Sequence, residues 1–125
     1  MTGTAAGFAV VAAGGAIGSA LRALLTWTVA ARTAGDTMPA TLAANVLGSF
    51  VIGVLVQLAP PDSATRLFLA TGVCGGFTTF STFSAEAIAA LEAGRVVPAL
   101  GYAGVSLAAA LFATWAGFVL GRAIR

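Results

Sequence analysis

Residues 72–84 read GVCGGFTTFSTFS, a composition that is unusual for the middle of a long apolar segment. Three glycines within five residues precede a run made almost entirely of threonine, serine and phenylalanine. Glycine has little preference for the helix, and hydroxyl groups such as those of Thr78 and Thr79 compete with helical hydrogen bonds of the backbone. The pattern therefore predicts a break in the helix near residues 75–79.

The same stretch lies inside one of four long apolar segments. The chain has 125 residues, of which 59% are hydrophobic and 8% are charged, whereas a soluble domain carries about 25% charged residues. A spanning helix needs about 20 mostly apolar residues. The segments that satisfy this requirement are residues 4–31, 39–58, 67–91 and 96–120. We therefore predict an all-α, polytopic membrane protein, with residues 1–125 forming a single four-helix domain.

A break inside the third span has a functional implication. Freed backbone groups are costly in lipid unless they line a cavity or find a partner, and broken helices often mark ion or substrate sites. The alternative is a continuous helix whose hydroxyls bond to the preceding turn, but the density of small polar residues favours the break. Phe80 and Phe83 share a helix face and alternate with hydroxyls, including those of Thr79 and Ser81. Their positive ring edges can contact an anion without a charged side chain.

The arginines indicate almost no preferred orientation in the membrane. If the four segments form an up-down bundle with short loops, Arg66, Arg122 and Arg125 lie on one side. Arg32 and Arg95 lie on the other. Arginine bias in short loops sets the orientation of a membrane protein. Three arginines on one side and two on the other give almost no bias, so the chain can insert in either orientation. We therefore expect that two copies can pair as an antiparallel, dual-topology dimer.

Three further polar side chains lie within the predicted spans. Asn45 either bridges helices or contacts a ligand, since its amide nitrogen offers two donors. Arg22 lies near the end of the first span, where it either snorkels to the interface or binds backbone carbonyls. Glu86 lies late in the third span, and we expect it to face water or to pair with an arginine. We assign Glu86 no catalytic task.

Hydroxyl groups recur along the fourth span. Tyr102, Ser106, Ala110 and Thr114 fall at successive four-residue steps, which place them in one stripe on a helix. Three of the four carry a hydroxyl, so the stripe predicts a polar track. An interfacial anchor is the other interpretation for Tyr102.

Three sequence signatures carry a resemblance to a known family. They are GGAIGSALR at residues 14–22, TLAANVLGSF at residues 41–50 and GGFTTFSTFS at residues 75–84. Together they resemble the signatures of the CrcB/Fluc fluoride channel family, and the similarity extends to chain length, span number and motif order. The resemblance implies an antiparallel homodimer with two fluoride pores, in which Asn45 contacts fluoride and Phe80 and Phe83 of both subunits line the pore.

The resemblance also implies a structural sodium ion as cofactor. By similarity, the carbonyl oxygens of Gly75 and Thr78 from both subunits hold it at the centre of the dimer. The stripe of Tyr102, Ser106 and Thr114 resembles the family's polar track, from which Ala110 departs because a serine is usual there. The expected partners are fluoride, a second copy of the chain and the lipid bilayer, without nucleic acid.

The resulting prediction is a multi-pass protein of the cell (inner) membrane that exports fluoride passively and relieves its toxicity. The alternative is a small multidrug-type, proton-coupled transporter, which needs a membrane carboxylate in the first span. No acidic residue precedes Asp36. A structural subunit of a larger complex would give no ion flux on its own. We expect no enzyme, because no nucleophile–base pair or metal cluster is visible.

Overall fold

Helices account for most of residues 2–125, the part of the chain that the computed structural model describes. They are α1 (Ala5–Ala30), α2 (Met38–Leu58), α3 (residues 64–77), α4 (Phe80–Glu92) and α5 (Val96–Ala123). Four segments are long and apolar enough to cross a membrane. Three of them are α1, α2 and α5, and the remaining one, third in chain order, is Ala64–Glu92, which α3 and α4 form together. No strand occurs in residues 2–125. The predicted all-α fold with four spans is therefore confirmed.

The loop between α2 and α3 ends one helix and starts the next. α2 ends at Leu58, shortly before Pro60 and Pro61, which lack the backbone donor that a helix requires. Ser63 then caps α3, since its hydroxyl oxygen accepts a hydrogen bond from the backbone N–H of Arg66 at 3.2 Å. Such caps satisfy donors at the first helical turn that have no partner within the helix.

Two pairs of helices pack closely, α1 with α3 and α2 with α5. In the first pair, a Cβ added to Gly72 would lie 2.9 Å from the Cα of Gly14. In the second, a Cβ added to Gly53 would lie 3.1 Å from the Cα of Gly117. Helices in lipid associate largely through van der Waals packing, which small residues permit. The glycines therefore fix α3, the first half of the broken span, against α1, and they fix α2 against α5.

Gly14 and Gly15 provide a direct test of this packing. A Cβ at Gly14 would overlap the carbonyl oxygen of Phe68, whereas at Gly15 the nearest atom is 4.0 Å away. We expect Gly14→Ala to destabilise the protein by about 1–3 kcal/mol, as overpacking does, and Gly15→Ala to leave its stability unchanged or slightly higher. Thermal unfolding of both variants in detergent measures the difference, and equal stabilities would contradict the close contact.

The third span breaks at Thr78 and Thr79. Thr78 has φ −82° and ψ 156°, and Thr79 has φ −154° and ψ 115°, both of which are extended conformations. α4 then starts with Thr79 as its cap, because the Thr79 hydroxyl oxygen accepts from the backbone N–H of Thr82 at 3.1 Å. The predicted break is confirmed, and it falls within the predicted residues 75–79.

The helix before the break is itself irregular. Leu67–Cys74 forms a π-helix, in which each hydrogen bond spans one residue more than in an α-helix. The backbone N–H of Gly75 accordingly reaches the carbonyl of Ala70. The sequence analysis did not predict this widening. π-helical turns are rare and frequently occur at functional sites.

Candidate functional site

A groove of about 580 Å³ opens beside the break. α2, α3, α5 and the first turn of α4 line it. The residues of the predicted site that lie in its wall are Asn45, Gly75, Thr78, Thr79, Phe80, Phe83 and Ser106. Ser49, Thr71, Cys74 and Ala110 also line it. None of the lining residues is charged, so the groove is a neutral cavity within the membrane-spanning part of the chain.

Asn45 connects α2 to the backbone of the break. Its Nδ2 donates to the carbonyl oxygen of Thr79 at 3.0 Å, and the N–H of Thr79 donates to its Oδ1 at 2.7 Å. The two bonds satisfy backbone groups that the break removes from helical pairing, which would otherwise be costly in lipid. Asn45 is therefore a bridge between helices. An amide nitrogen has two N–H donors, and the bridge uses one of them.

The end of α3 is held from two directions. Arg22 of α1 donates from Nε to the carbonyl oxygen of Gly76 at 3.1 Å. The hydroxyl of Thr78 donates to the carbonyl oxygen of Cys74 at 2.9 Å. Carbonyls in the last turn of a helix lack helical partners, and Arg22 supplies one to Gly76. The carbonyl of Cys74 also accepts from the backbone N–H of Thr78 at 2.9 Å, so the Thr78 hydroxyl adds a second bond there. Of the two roles that the sequence allowed for Arg22, the structure shows binding to a backbone carbonyl.

Three aromatic rings form a chain that leads away from the groove. The ring centroids of Phe80 and Phe83 are 5.4 Å apart and tilted by 51°, and those of Phe83 and Tyr102 are 5.2 Å apart and tilted by 52°. Both pairs lie within the range in which tilted rings attract each other. In the single chain Phe80 is 79% exposed, so this side of the groove is open.

In the single chain, the groove is lined by only part of the predicted hydroxyl track of α5. Ser106 lines the groove, and its Oγ is buried without a hydrogen-bond partner among the described residues. Thr114 instead donates to the carbonyl oxygen of Ala110 on its own helix at 3.0 Å, and it does not line the groove. Each four-residue step advances about 40° around a helix, so Thr114 lies about 120° from Tyr102. The stripe therefore winds away from the groove.

Glu86 lies at the centre of a cluster of hydroxyl groups. Thr37 donates to its Oε1 at 2.6 Å, Thr41 to the same oxygen at 3.0 Å, and Tyr102 to its Oε2 at 2.6 Å. The expected arginine or water partner is thus replaced by three hydroxyls from α5 and from the start of α2. The cluster fixes Tyr102, whose ring contacts Phe83, and so connects Glu86 to the wall of the groove.

Removing the Glu86 carboxylate should destabilise the protein. In Glu86→Leu the three hydroxyls lose their acceptor, and Thr41 is only 3% exposed, so water cannot readily replace it. A buried hydroxyl without a partner costs about 1–3 kcal/mol. Thermal unfolding in detergent should show the loss, while Glu92→Leu at the exposed end of the same helix should not. Equal melting temperatures for the two variants would mean that the cluster contributes nothing.

The structure brings together most, but not all, of the residues that the sequence pointed to. Ser81 is exposed, and its hydroxyl lies 3.2 Å from that of Thr79 outside the groove wall. Tyr102 is turned toward Glu86, and Thr114 toward its own helix. The sequence analysis missed the role of Glu86 and the contribution of Thr71 and Cys74 to the groove.

The groove lies within a stretch that matches a known family. The sequence model of the family described as "CrcB-like protein, Camphor Resistance (CrcB)" matches residues 9–118. This chain belongs to the CrcB family. In this CrcB chain the matched region contains the whole groove wall, and also Arg22 and Glu86. With its four spans, it is a multi-pass membrane protein.

Curated relatives of this CrcB chain carry a functional name. The "Fluoride-specific ion channel FluC" of Agrobacterium fabrum is 47% identical over 120 residues, which cover 91% of this chain and 94% of the relative. The "Fluoride-specific ion channel FluC" of Thermus thermophilus is 44% identical, and the match covers 94% of this chain and 96% of the relative. The "Fluoride-specific ion channel FluC 1" of Halobacterium salinarum is 48% identical, and the match covers 89% of this chain and 95% of the relative. Similarity therefore extends over nearly the whole length of the chains.

Proposed function

We propose that this protein is a fluoride-selective channel of the cell membrane, which lets fluoride leave the cell passively and so relieves its toxicity. The observation that carries the proposal is the break at Thr78 and Thr79. It places an amide, hydroxyls and two phenylalanine rings around one uncharged groove in the spans. The relatives named as fluoride-specific channels support the choice of ion.

The groove offers what a small, strongly hydrated anion needs. Fluoride must exchange its water ligands for other donors, and the Oγ of Ser106 is buried and unpaired among the described residues. Asn45 has a second N–H beyond the one that bonds Thr79. The edges of Phe80 and Phe83 carry partial positive charge. Because conduction requires binding that is weak enough to release the ion, the absence of a charged residue from the groove wall suits a fast channel.

The chemistry of the groove favours a channel over an enzyme or a proton-coupled transporter. A small multidrug-type transporter needs a carboxylate in the first span, but α1 contains no acidic residue. The carboxylate of Glu86 lies in the third span and is bonded to three hydroxyls. We therefore expect fluoride flux to proceed without a proton gradient, and flux that stops when the gradient is collapsed would support the transporter.

The proposal includes an antiparallel homodimer. The groove is open on the side of Phe80, which is 79% exposed, and a Cβ on Gly75 would meet no atom within 4 Å. A second copy on this side would cover the ring and complete two pores. The nearly balanced arginines at the two ends of the bundle support insertion in both orientations. A C-terminal tag that is found on one side of the membrane only would exclude this arrangement.

Sodium at the dimer centre is the remaining part of the proposal. The hydrogen bonds described for residues 2–125 leave the carbonyl oxygen of Thr78 without a donor, and Gly75 beside it has open space on its face. Carbonyl oxygens suit a hard cation, so these residues fit sodium held between two copies. Bound sodium would supply positive charge at the interface. Equal stability of the dimer in sodium and in a bulky organic cation would count against it.

Efflux from proteoliposomes tests the proposed function directly. Purified protein is reconstituted in liposomes loaded with fluoride or chloride, and efflux is followed with ion-selective electrodes. We expect rapid fluoride efflux and chloride efflux close to that of empty liposomes. Equal efflux rates for the two anions would contradict the proposed selectivity for fluoride over chloride. No flux of either anion would favour a structural subunit of a larger complex.

A further inference from the structure

A second cavity, of about 360 Å³, lies at the end of the bundle where the α2–α3 loop meets the last residues of the chain. Its wall is formed by the end of α2 and the loop prolines together with Arg66 and Arg125, and no acidic residue lines it. We propose that this cavity binds the phosphate group of an anionic membrane phospholipid. The site is separate from the groove and does not depend on the proposed channel function.

Arg66 is held in position to bind a phosphate. Its Nη1 donates to the carbonyl oxygen of Ala59 at 3.3 Å, which fixes the guanidinium at the cavity wall. Arginine has five N–H donors in a planar fork, and the hydrogen bonds described for residues 2–125 use one of them. The fork geometry matches the oxygens of a phosphate, to which arginine donates two parallel hydrogen bonds. The free donors of Arg66 therefore match the ligand in number and shape.

The charge at this end of the bundle is positive. Arg125 lines the cavity with Arg66, and Arg122 lies exposed in the last turn of α5. Asp62 is the acidic residue of the neighbouring loop, and its carboxylate accepts a hydrogen bond from Thr2 at 2.5 Å. Three arginine side chains against one aspartate side chain give this end of the bundle a positive side-chain charge, which attracts an anion.

The position of the cavity and the apolar part of its wall favour a lipid over free phosphate. α2 ends at Leu58 and the third span begins at residue 64, so the cavity lies where spanning segments leave the hydrocarbon core and meet the headgroups. Val56, Leu58 and the prolines provide an apolar surface beside the two guanidiniums. A phospholipid has both the phosphate and the apolar part that this wall can contact, whereas inorganic phosphate has only the first.

Binding to purified full-length protein in detergent tests the proposal. Native mass spectrometry is used to titrate short-chain phosphatidylglycerol, with phosphatidylcholine and inorganic phosphate as separate arms. We expect phosphatidylglycerol to bind, and the double variant Arg66→Gln/Arg125→Gln to weaken its binding by at least about tenfold, as the loss of charged hydrogen bonds predicts. Arg32→Gln, an exposed arginine at the opposite end, is the matched control and should bind like the unmodified protein.

Each other outcome contradicts the proposal. Equal binding of phosphatidylcholine would show that the cavity does not select an anionic lipid, and unchanged binding by the double variant would place the lipid elsewhere. Inorganic phosphate that binds as tightly as the lipid would identify a site for the free anion. If Arg66→Gln fails to fold, Arg125→Gln alone serves as the test, since this exposed side chain has no described hydrogen bond, and it should still weaken lipid binding severalfold.

Discussion

Asn45→Ala should reduce fluoride efflux by about a hundredfold or more. The substitution removes the two hydrogen bonds that hold the N–H and the carbonyl of Thr79. Each buried backbone group that loses its partner costs about 1–3 kcal/mol, and about 1.4 kcal/mol corresponds to a factor of ten. Without the bridge, the extended backbone of the break loses the hydrogen bonds that stabilise it. We therefore expect the third span to shift toward a continuous helix. Such a change would rearrange the whole wall of the groove.

The control for this substitution is Val46→Ala. Val46 is the next residue of α2 and does not line the groove, so its variant should conduct like the unmodified protein. Thermal unfolding and size-exclusion profiles of both variants separate a loss of conduction from a loss of folding. An Asn45→Ala protein that is folded and conducts at the rate of Val46→Ala would show that the bridge to Thr79 is not required.

The break could be predicted because its causes are local. Glycine and the hydroxyl side chains of residues 72–84 act on their own backbone, so composition alone is informative. The extended residues, Thr78 and Thr79, indeed fall inside the predicted range. The π-helix at Leu67–Cys74 could not be predicted in this way. Most of its residues are apolar, Thr71 and Gly72 alone do not specify a π-helix, and the widened turns accompany packing against α1, which the sequence does not display.

The role of Glu86 depends on contacts that are distant in the sequence. Its donors, Thr37, Thr41 and Tyr102, are 49, 45 and 16 residues away from it. Nothing in the local pattern around Glu86 indicates which elements its carboxylate faces. The one available signal was the four-residue spacing of Thr37 and Thr41, which places two hydroxyls on one face of the start of α2. The spacing shows that the hydroxyls are adjacent, but not what they bind.

The hydroxyl stripe of α5 shows that a four-residue spacing keeps side chains on one helix face only over a short distance. The spacing correctly placed Ser106 and Ala110 side by side on the groove. Over three steps, however, the helix rotates by about 120°, so Tyr102 and Thr114 point to different surroundings. Tyr102 reaches Glu86, and Thr114 bonds to its own helix. Periodicity therefore shows which residues are neighbours over one step, whereas the role of the full stripe as a polar track stays a prediction.

Phe80→Ala should lower fluoride efflux by about tenfold or more, although the single chain leaves this ring 79% exposed. If a second copy covers the groove, the ring edge becomes part of the pore wall, and its loss removes an attractive contact for the anion. A contact worth about 1.4 kcal/mol changes the rate by about a factor of ten. Efflux from proteoliposomes at matched protein content measures the change.

Phe112→Ala is the matched control, because Phe112 of α5 is 66% exposed and does not line the groove. Both rings are similarly accessible in one chain, so a lipid-facing role predicts the same small effect for both substitutions. A loss of efflux in Phe80→Ala alone therefore requires that Phe80 faces something other than lipid. Because α4 turns this ring toward the open side of the groove, such a loss would support the proposed second copy of the chain as the component that encloses it. Equal efflux from the two variants would instead leave Phe80 in contact with acyl chains and remove it from the pore.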